Sequence, residues 1–132
     1  MRVDEVTGEI IHSAFEIHKR IGPGLLESVY EALLTRVLER RGLSVRRQVV
    51  VAFDYEGIHV EEGFRIDLLV EDQVIVELKS VEKLAPVHSK QLLTYLRLMD
   101  KRVGLLINFG APTLKQGLHR VVNAYVSPPV SP

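Results

Sequence analysis

Residues 65–79 read RIDLLVEDQVIVELK, two alternating runs of apolar and polar side chains separated by Glu-Asp-Gln. Alternation at every second residue predicts β-strands that bury one face. The predicted buried face carries Ile66, Leu68 and Val70 in the first run, and Val74, Val76 and Leu78 in the second. The sequence therefore predicts two neighbouring strands, residues 64–70 and 74–79, that pair through a tight turn.

The length of this turn determines which side chains face each other. If both apolar faces point into one core, the register must keep parity, and a three-residue loop with Val70 opposite Val74 does so. The same register places Asp67 directly opposite Glu77, with Lys79 on the same face. Two carboxylates at the spacing of an opposed pair repel each other unless a cation lies between them. We therefore expect both carboxylates on one sheet face, close enough to share an ion.

Two interpretations of these charged side chains remain open. In the first, Arg65 lies opposite Lys79 and the four charges form a cross-strand salt-bridge ladder, which contributes little where it is exposed. In the second, they form a site for metal-dependent hydrolysis. Mg²⁺ takes one or two carboxylates and completes its shell with waters and phosphate oxygens. In such a site Lys79 would position the attacking water and stabilise developing charge.

Elements on either side of this hairpin complete an α/β pattern. The predicted helices are residues 3–21, about 25–41 and 86–99, and the other predicted strands are 45–55 and 103–109, with residues 118–122 adding a short strand or a turn. Short links allow the first three strands to be antiparallel, whereas the helix after them is long enough to cross over and make the last strand parallel. We expect an α/β fold with a mixed sheet of about four strands flanked by helices, one of them an extra N-terminal helix.

Two predicted helices carry polar side chains that can reach the charged strand face. The apolar stripe predicted for the second helix is Leu26, Val29, Tyr30, Leu33 and Val37. Glu27 falls on the margin of this stripe, and Tyr30 is expected to pack in the core. On the later helix, one side carries His88, Gln91 and Tyr95. Polar residues that converge from two helices on a charged strand pair indicate a site.

Composition limits the range of functions. The 132 residues include 17 basic and 17 acidic side chains and no cysteine, which excludes disulfides and thiolate metal sites. A uniformly basic surface is excluded, so any phosphate contacts must come from a local patch such as the arginine-rich residues 36–47. No apolar run approaches transmembrane length and the start is unlike a signal peptide, so we expect a cytoplasmic protein without a membrane partner. One domain over residues 1–126 and a disordered Pro/Ser tail over 127–132 are predicted.

Several separated motifs resemble one nuclease family. Asp67, followed by Glu77-Leu78-Lys79 at the end of an apolar strand, resembles the core of the PD-(D/E)xK nuclease superfamily, although Ile66 stands where the superfamily name has Pro. More narrowly, Gly24-Leu-Leu-Glu27-Ser-Val-Tyr30 resembles the signature of the GxxExxY proteins. Further segments similar to that family are Val76-Glu77-Leu-Lys79-Ser, Gln91-Leu-Leu-Thr-Tyr95-Leu and Leu106-Ile-Asn108-Phe109-Gly110.

The resemblance implies a restriction-endonuclease-like α-β-β-β-α-β core and metal-dependent hydrolysis of phosphodiester bonds in nucleic acid. We expect DNA as the substrate, and RNA is the less favoured alternative. It implies that Asp67 and Glu77 bind Mg²⁺, with Mn²⁺ as a substitute, and that Lys79 is the catalytic lysine. Glu27 would be an additional catalytic carboxylate, and Gln91 a polar partner near the phosphate.

The sequence leaves two functions open. The first is a Mg²⁺-dependent endonuclease or exonuclease, and the alternative is a non-catalytic module that binds nucleic acid or protein on a nuclease-like fold. Nucleic-acid contacts are predicted for Arg46, Arg47 and Lys90. A homodimer would supply a larger binding surface and pair two cuts.

Overall fold

The structure is a computed structural model that describes residues 1–124. Its elements are α1 (Val3–Ile21), α2 (Glu27–Arg40), β1 (Val45–Tyr55), β2 (Ile58–Val70), β3 (Val74–Lys79), α3 (Pro86–Met99), β4 (Val103–Asn108), α4 (Leu114–Gly117) and β5 (Leu118–Val122). The predicted tail over 127–132, and the predicted domain end at residue 126, lie outside the described residues. None of the helices within 1–124 is both long and apolar enough to cross a membrane.

The strands form one mixed sheet in the order β1-β2-β3-β4-β5. β1, β2 and β3 pair antiparallel, and β3 pairs parallel with β4 across the α3 connection. The predicted meander and crossover are therefore confirmed. Residues 118–122 form a strand, β5, antiparallel to β4. The sheet consequently has five strands rather than about four.

Helices cover both faces of the sheet and create two cores. The core beneath α1 and α2, here the α1/α2-side core, combines their apolar side chains with strand residues Leu68, Val70, Val74, Val76, Leu78, Leu105 and Ile107. The core beneath α3, here the α3-side core, contains Ile66, Leu69, Ile75, Leu92, Leu96 and Leu106. Both faces of the central strands are thus buried, which leaves the ends of the strands as the place for a polar site.

The buried face of α2 differs from the predicted stripe. Leu26 precedes the helix and is 73% exposed, and Val29 is also exposed. The fully buried apolar side chains of α2 are Tyr30, Leu34 and Leu38. The Tyr30 ring stacks on that of Phe109 at a centroid distance of 4.4 Å, just beyond β4. This contact fixes the rotation of the helix about its axis.

The turn between β2 and β3 has the predicted three-residue length. Val70 pairs with Val74, which confirms the predicted register at the turn. Glu71 and Asp72 both adopt left-handed backbone conformations with φ of 53°. Such residues tighten the turn and hold the two strands in one alignment.

Regular alternation along β2 is interrupted at Asp67, which the sequence analysis did not predict. Ile66 packs in the α3-side core, whereas Leu68 and Val70 pack in the α1/α2-side core. Across from Asp67 in β1, Gln48 has a φ of 49°. Local irregularities of this kind redirect a side chain. Here the irregularity falls on one of the two predicted metal ligands.

Candidate active site

β2 and β3 stop pairing through their backbones where two acidic residues meet. The last backbone pair in this direction is Leu68 with Val76. One residue further, the Asp67 N–H donates to Glu77 Oε2 at 2.8 Å, and the Leu78 N–H donates to Asp67 Oδ2 at 2.8 Å. Each carboxylate is therefore held by the backbone of the other strand, in place of the next hydrogen bonds of the ladder.

The pairs predicted beyond this point do not form. Asp67 and Glu77 meet through their side chains, not as an opposed ladder pair, and Arg65 does not pair with Lys79. Within residues 1–124, no ion pair joins Arg65 or Lys79 to either carboxylate. The salt-bridge ladder interpretation is therefore wrong, because the strands separate before those side chains can face each other.

Glu77 lies in an environment that favours its neutral form. Its side chain is 8% exposed. The pKa of Glu77 is raised from 4.5 to about 8, mainly by burial and then by the charge of Asp67, while the Asp67 N–H and the Lys79 ammonium oppose the rise. A hydrogen bond between the two carboxyl groups also favours the protonated form. The pair therefore retains a proton near neutral pH, and a cation could take its place.

Lys79 ends β3 beside this carboxyl pair. Its backbone carbonyl accepts a hydrogen bond from the Phe109 N–H at 2.8 Å, which fixes the strand end against β4. Its ammonium is close enough to lower the pKa of Glu77, yet it forms no ion pair within residues 1–124. The charge is thus half-buried next to the acidic pair and remains able to contact a ligand.

A depression of about 350 Å³ opens between α2 and the separated strands. Its lining residues are Glu27, Ser28, Glu31, Gln48, Asp67 and Leu78. Glu27 is the first residue of α2 and is exposed to solvent. The structure therefore brings Glu27 to the same depression as Asp67, and its carboxylate forms no ion pair within residues 1–124.

Hydrogen bonds fix the loop that leads into Glu27. The Tyr30 hydroxyl donates to the Gly22 carbonyl at 2.6 Å and accepts from the Leu25 N–H at 3.3 Å. The Ser80 hydroxyl donates to the Leu25 carbonyl at 2.6 Å, which ties this loop to the segment that follows β3. Tyr30 packs in the core as predicted, and its hydroxyl has the additional role of holding the loop.

Glu31 is a buried carboxylate that the sequence analysis did not single out. It lies one helical turn after Glu27 and is 6% exposed. The Arg47 guanidinium donates to Glu31 Oε2 from Nε at 3.1 Å and from Nη2 at 2.9 Å. Gln48 Nε2 donates to Glu31 Oε1 at 2.5 Å and to Asp67 Oδ1 at 3.3 Å. The four-residue spacing of the two glutamates was the available signal, because residues at that spacing share a helix face.

The residues predicted to contact nucleic acid have different surroundings. Arg47 is paired with Glu31. Arg46 and Lys90 are exposed, and neither takes part in an ion pair within residues 1–124. A free charge is more readily available to a phosphate than one already paired with a carboxylate. Within residues 1–124, Arg46 and Lys90 thus carry charges outside any ion pair, whereas the charge of Arg47 is paired.

Tyr95 of α3 lies close to the carboxyl pair. Its ring stacks on Phe64 of β2 with a centroid distance of 4.3 Å. Burial raises the pKa of Tyr95 above its usual value of 10, and the charges of Glu77 and Asp67 raise it further. Tyr95 is therefore within electrostatic range of the acidic pair.

The other two polar side chains of the predicted α3 face, His88 and Gln91, make no hydrogen bond to the acidic pair within residues 1–124. His88 Nδ1 accepts a hydrogen bond from the Ala85 N–H at 3.1 Å, at the start of the helix. Gln91 is exposed, and no side-chain hydrogen bond joins it to Asp67 or Glu77 in the described part of the chain. The structure therefore brings together Glu27, Asp67, Glu77 and Lys79 but leaves Gln91 at the surface.

The sequence matches the family model of the PD-(D/E)XK nuclease superfamily over residues 4–121. The chain belongs to this superfamily. No curated protein and no solved structure gives a match to it. The five-stranded mixed sheet flanked by helices has the restriction-endonuclease-like arrangement of PD-(D/E)XK nucleases, as predicted.

PD-(D/E)XK nucleases generally use divalent metal ions, and the superfamily implies a nucleic-acid substrate. Within residues 1–124, no three His, Cys, Asp or Glu side chains are arranged to hold a metal ion. The donor set is instead the two hard carboxylates of Asp67 and Glu77. Glu77 accepts a backbone N–H at Oε2, and Asp67 accepts a backbone N–H at Oδ2 and the Gln48 amide at Oδ1. Each carboxylate oxygen has two lone pairs, so these hydrogen bonds leave room for a metal ion to bind. This set fits a divalent ion such as Mg²⁺, which often takes only one or two carboxylates.

Proposed function

We propose that this PD-(D/E)XK protein is a metal-dependent nuclease that hydrolyses phosphodiester bonds in DNA. The observation that supports this is the meeting of Asp67 and Glu77 where β2 and β3 separate, with Glu77 buried and its pKa raised to about 8. Two acidic groups in contact at a buried position weaken the fold unless a proton or a cation lies between them. Such arrangements concentrate at functional sites.

Each residue of the site has a proposed role. Asp67 and Glu77 would hold Mg²⁺, with Mn²⁺ as a substitute. When bound, the ion would polarise the scissile phosphate and lower the pKa of a water molecule. Lys79 would orient the attacking water and offset negative charge that develops on the phosphate. Glu27 would hold water at the rim of the depression, and Gln91 would donate to a phosphate oxygen of the bound substrate.

We further propose that the chain is one of the GxxExxY proteins. Gly24 has a φ of 116°, a conformation that favours glycine. It lies within the loop that the Tyr30 hydroxyl holds at Gly22 and Leu25. Glu27 stands between Gly24 and Tyr30, at the depression. The three residues of the signature would thus have separate roles. Gly24 makes the turn, Glu27 presents a carboxylate, and Tyr30 anchors the loop.

A cleavage panel tests the proposed activity. Single-stranded, duplex and branched DNA, with matching RNA, are incubated with the protein in Mg²⁺ and in Mn²⁺. Wild type should cleave at least one DNA substrate, and a chelator should abolish the cleavage. Asp67→Asn keeps the size of the side chain but removes its charge, so it should cleave at least about 100-fold more slowly.

Other outcomes of the cleavage panel would contradict the proposed activity, the proposed site or the DNA substrate. Equal cleavage by wild type and Asp67→Asn would identify a contaminating nuclease or a different site. Cleavage of RNA alone would contradict the DNA assignment. Binding of nucleic acid without cleavage in any metal would support the alternative, a non-catalytic binding module. Sedimentation of the protein with and without duplex would show whether two copies act together, as we propose for cutting both strands.

Arg46 and Arg47 are neighbouring arginines that should respond differently to the same substitution. Arg46→Met should weaken nucleic-acid binding and reduce the slope of log affinity against log salt concentration by about one, because one phosphate contact is lost. Arg47→Met should instead lower the melting temperature, because it leaves the buried Glu31 carboxylate without its cation. Fluorescence anisotropy at several salt concentrations and thermal melting measure both effects. A changed salt slope with unchanged melting in Arg47→Met would contradict this assignment.

A further inference from the structure

Gln48 occupies a backbone position that glutamine rarely adopts. It lies in β1 across from Asp67, and its φ of 49° falls in the left-handed region. Outside glycine, that region is populated mainly by Asn and Asp, and residues held in it are strained. The surrounding structure therefore holds Gln48 in a backbone conformation that this residue would not adopt by itself.

The Gln48 amide joins two carboxylates from different parts of the chain. Its Nε2 donates to Glu31 Oε1 at 2.5 Å and to Asp67 Oδ1 at 3.3 Å. Because a side-chain amide nitrogen carries two hydrogens, both contacts can be made at once. Glu31 is in turn held at its other oxygen, Oε2, which accepts from both Nε and Nη2 of Arg47. The position of the amide is therefore set by an ion pair on its far side, in which the Glu31 carboxylate is buried and the Arg47 side chain is 45% exposed.

Asp67 is consequently held at both of its oxygens. The Leu78 N–H donates to Oδ2 at 2.8 Å, while Gln48 contacts Oδ1. An amide orients a carboxylate without neutralising it, whereas a lysine or arginine at the same place would compete with a bound cation. The charge of Arg47 is already balanced by Glu31, so this network adds little net charge beside the acidic pair.

We propose that Gln48 is a positioning residue that fixes the Asp67 carboxylate for metal binding, with Glu31 and Arg47 fixing the amide of Gln48. The part that concerns metal rests on the proposed function. Residues that hydrogen-bond a metal ligand orient it, and their loss typically weakens metal affinity by about 10- to 100-fold.

Two substitutions distinguish the effect of the Gln48 amide from the effect of the backbone strain at this residue. Gln48→Met keeps the length of the side chain but removes its donors, and Gln48→Gly removes the side chain and relieves the left-handed backbone. Gln73→Met is the matched control, because the Gln73 amide donates to the Met1 carbonyl at 2.8 Å, away from Asp67. The readouts are Mn²⁺ affinity by calorimetry, the Leu78 amide resonance in metal-free protein, and the melting temperature in a chelator.

Both Gln48 variants should bind Mn²⁺ about tenfold more weakly and should shift the Leu78 resonance, which reports the hydrogen bond to Asp67. Gln48→Gly should melt in chelator at or above the wild-type temperature, and Gln73→Met should bind Mn²⁺ as wild type does. Wild-type affinity and an unshifted Leu78 resonance in Gln48→Gly would overturn the proposal. Wild-type protein that binds no Mn²⁺ would instead overturn the proposed metal site, while the Leu78 resonance would still show whether Gln48 holds Asp67.

Discussion

Lys79→Met should slow metal-dependent phosphodiester cleavage at least about 100-fold, the size of loss seen when one preorganised donor to a developing charge is removed. An ammonium cannot be a metal ligand, so Mn²⁺ affinity should change little. Because the Lys79 charge also lowers the pKa of Glu77, its loss should raise that pKa above about 8. Affinity should therefore be measured over a range of pH and compared where it no longer rises with pH in either protein. Single-turnover cleavage rates and calorimetry measure the two effects.

The exposed Lys83 supplies the matched control for this prediction. Lys83→Met removes the same charge four residues beyond Lys79 and should leave the cleavage rate unchanged. Glu77→Ala should lose both cleavage and Mn²⁺ binding, because it removes an oxygen ligand. If Lys79→Met cleaved at the wild-type rate, Lys79 would have no part in the reaction. If the Lys79→Met variant lost Mn²⁺ binding, the role of Lys79 would be to hold the carboxyl pair together.

The stability of the metal-free protein should fall as the pH rises from about 4.5 to about 8. Burial and the Asp67 charge raise the pKa of Glu77 to about 8, so the folded protein keeps a proton that the unfolded chain has already lost. The stabilising contribution is complete below the unfolded pKa of 4.5 and disappears as the pH passes through about 8. Each unit of pKa difference corresponds to about 1.4 kcal/mol, so the total is on the order of a few kcal/mol.

Denaturant unfolding in a chelator across this pH range measures the effect. Glu77→Gln carries no titrating proton at this position, so its stability should lack the fall that wild type shows. The difference between the two proteins removes the contributions of other carboxyl groups. A wild-type stability that runs parallel to that of Glu77→Gln would contradict the raised pKa.

Divalent metal should oppose this loss of stability at high pH. Because a ligand must be deprotonated to bind a metal ion, saturating Mg²⁺ or Mn²⁺ should raise the melting temperature more at about pH 9 than at about pH 6. Asp67→Asn should show no such rise at either pH. Wild-type melting that does not respond to either ion would argue against Asp67 and Glu77 as a metal site in the free protein.

The fold and the acidic pair were largely predictable because both depend on local periodicity. The two-residue period of β2 and β3 and their three-residue turn place Asp67 near Glu77 before any long-range contact is considered. The helices and the crossover follow from spacing and element length in the same way. The predicted start of the second helix, at about residue 25, likewise lies within two residues of its observed start at Glu27.

The features that only the tertiary structure shows all depend on contacts between distant parts of the chain. The rotation of α2 about its axis is set by the stacking of Tyr30 on Phe109. The periodicity of the helix sequence cannot predict that contact. The separation of β2 and β3 arises because two side chains replace backbone hydrogen bonds. Glu31 and Gln48 join the site across a separation of 17 residues. Hydrogen bonds between side chains far apart in sequence depend on the packed geometry, which neither period nor composition encodes.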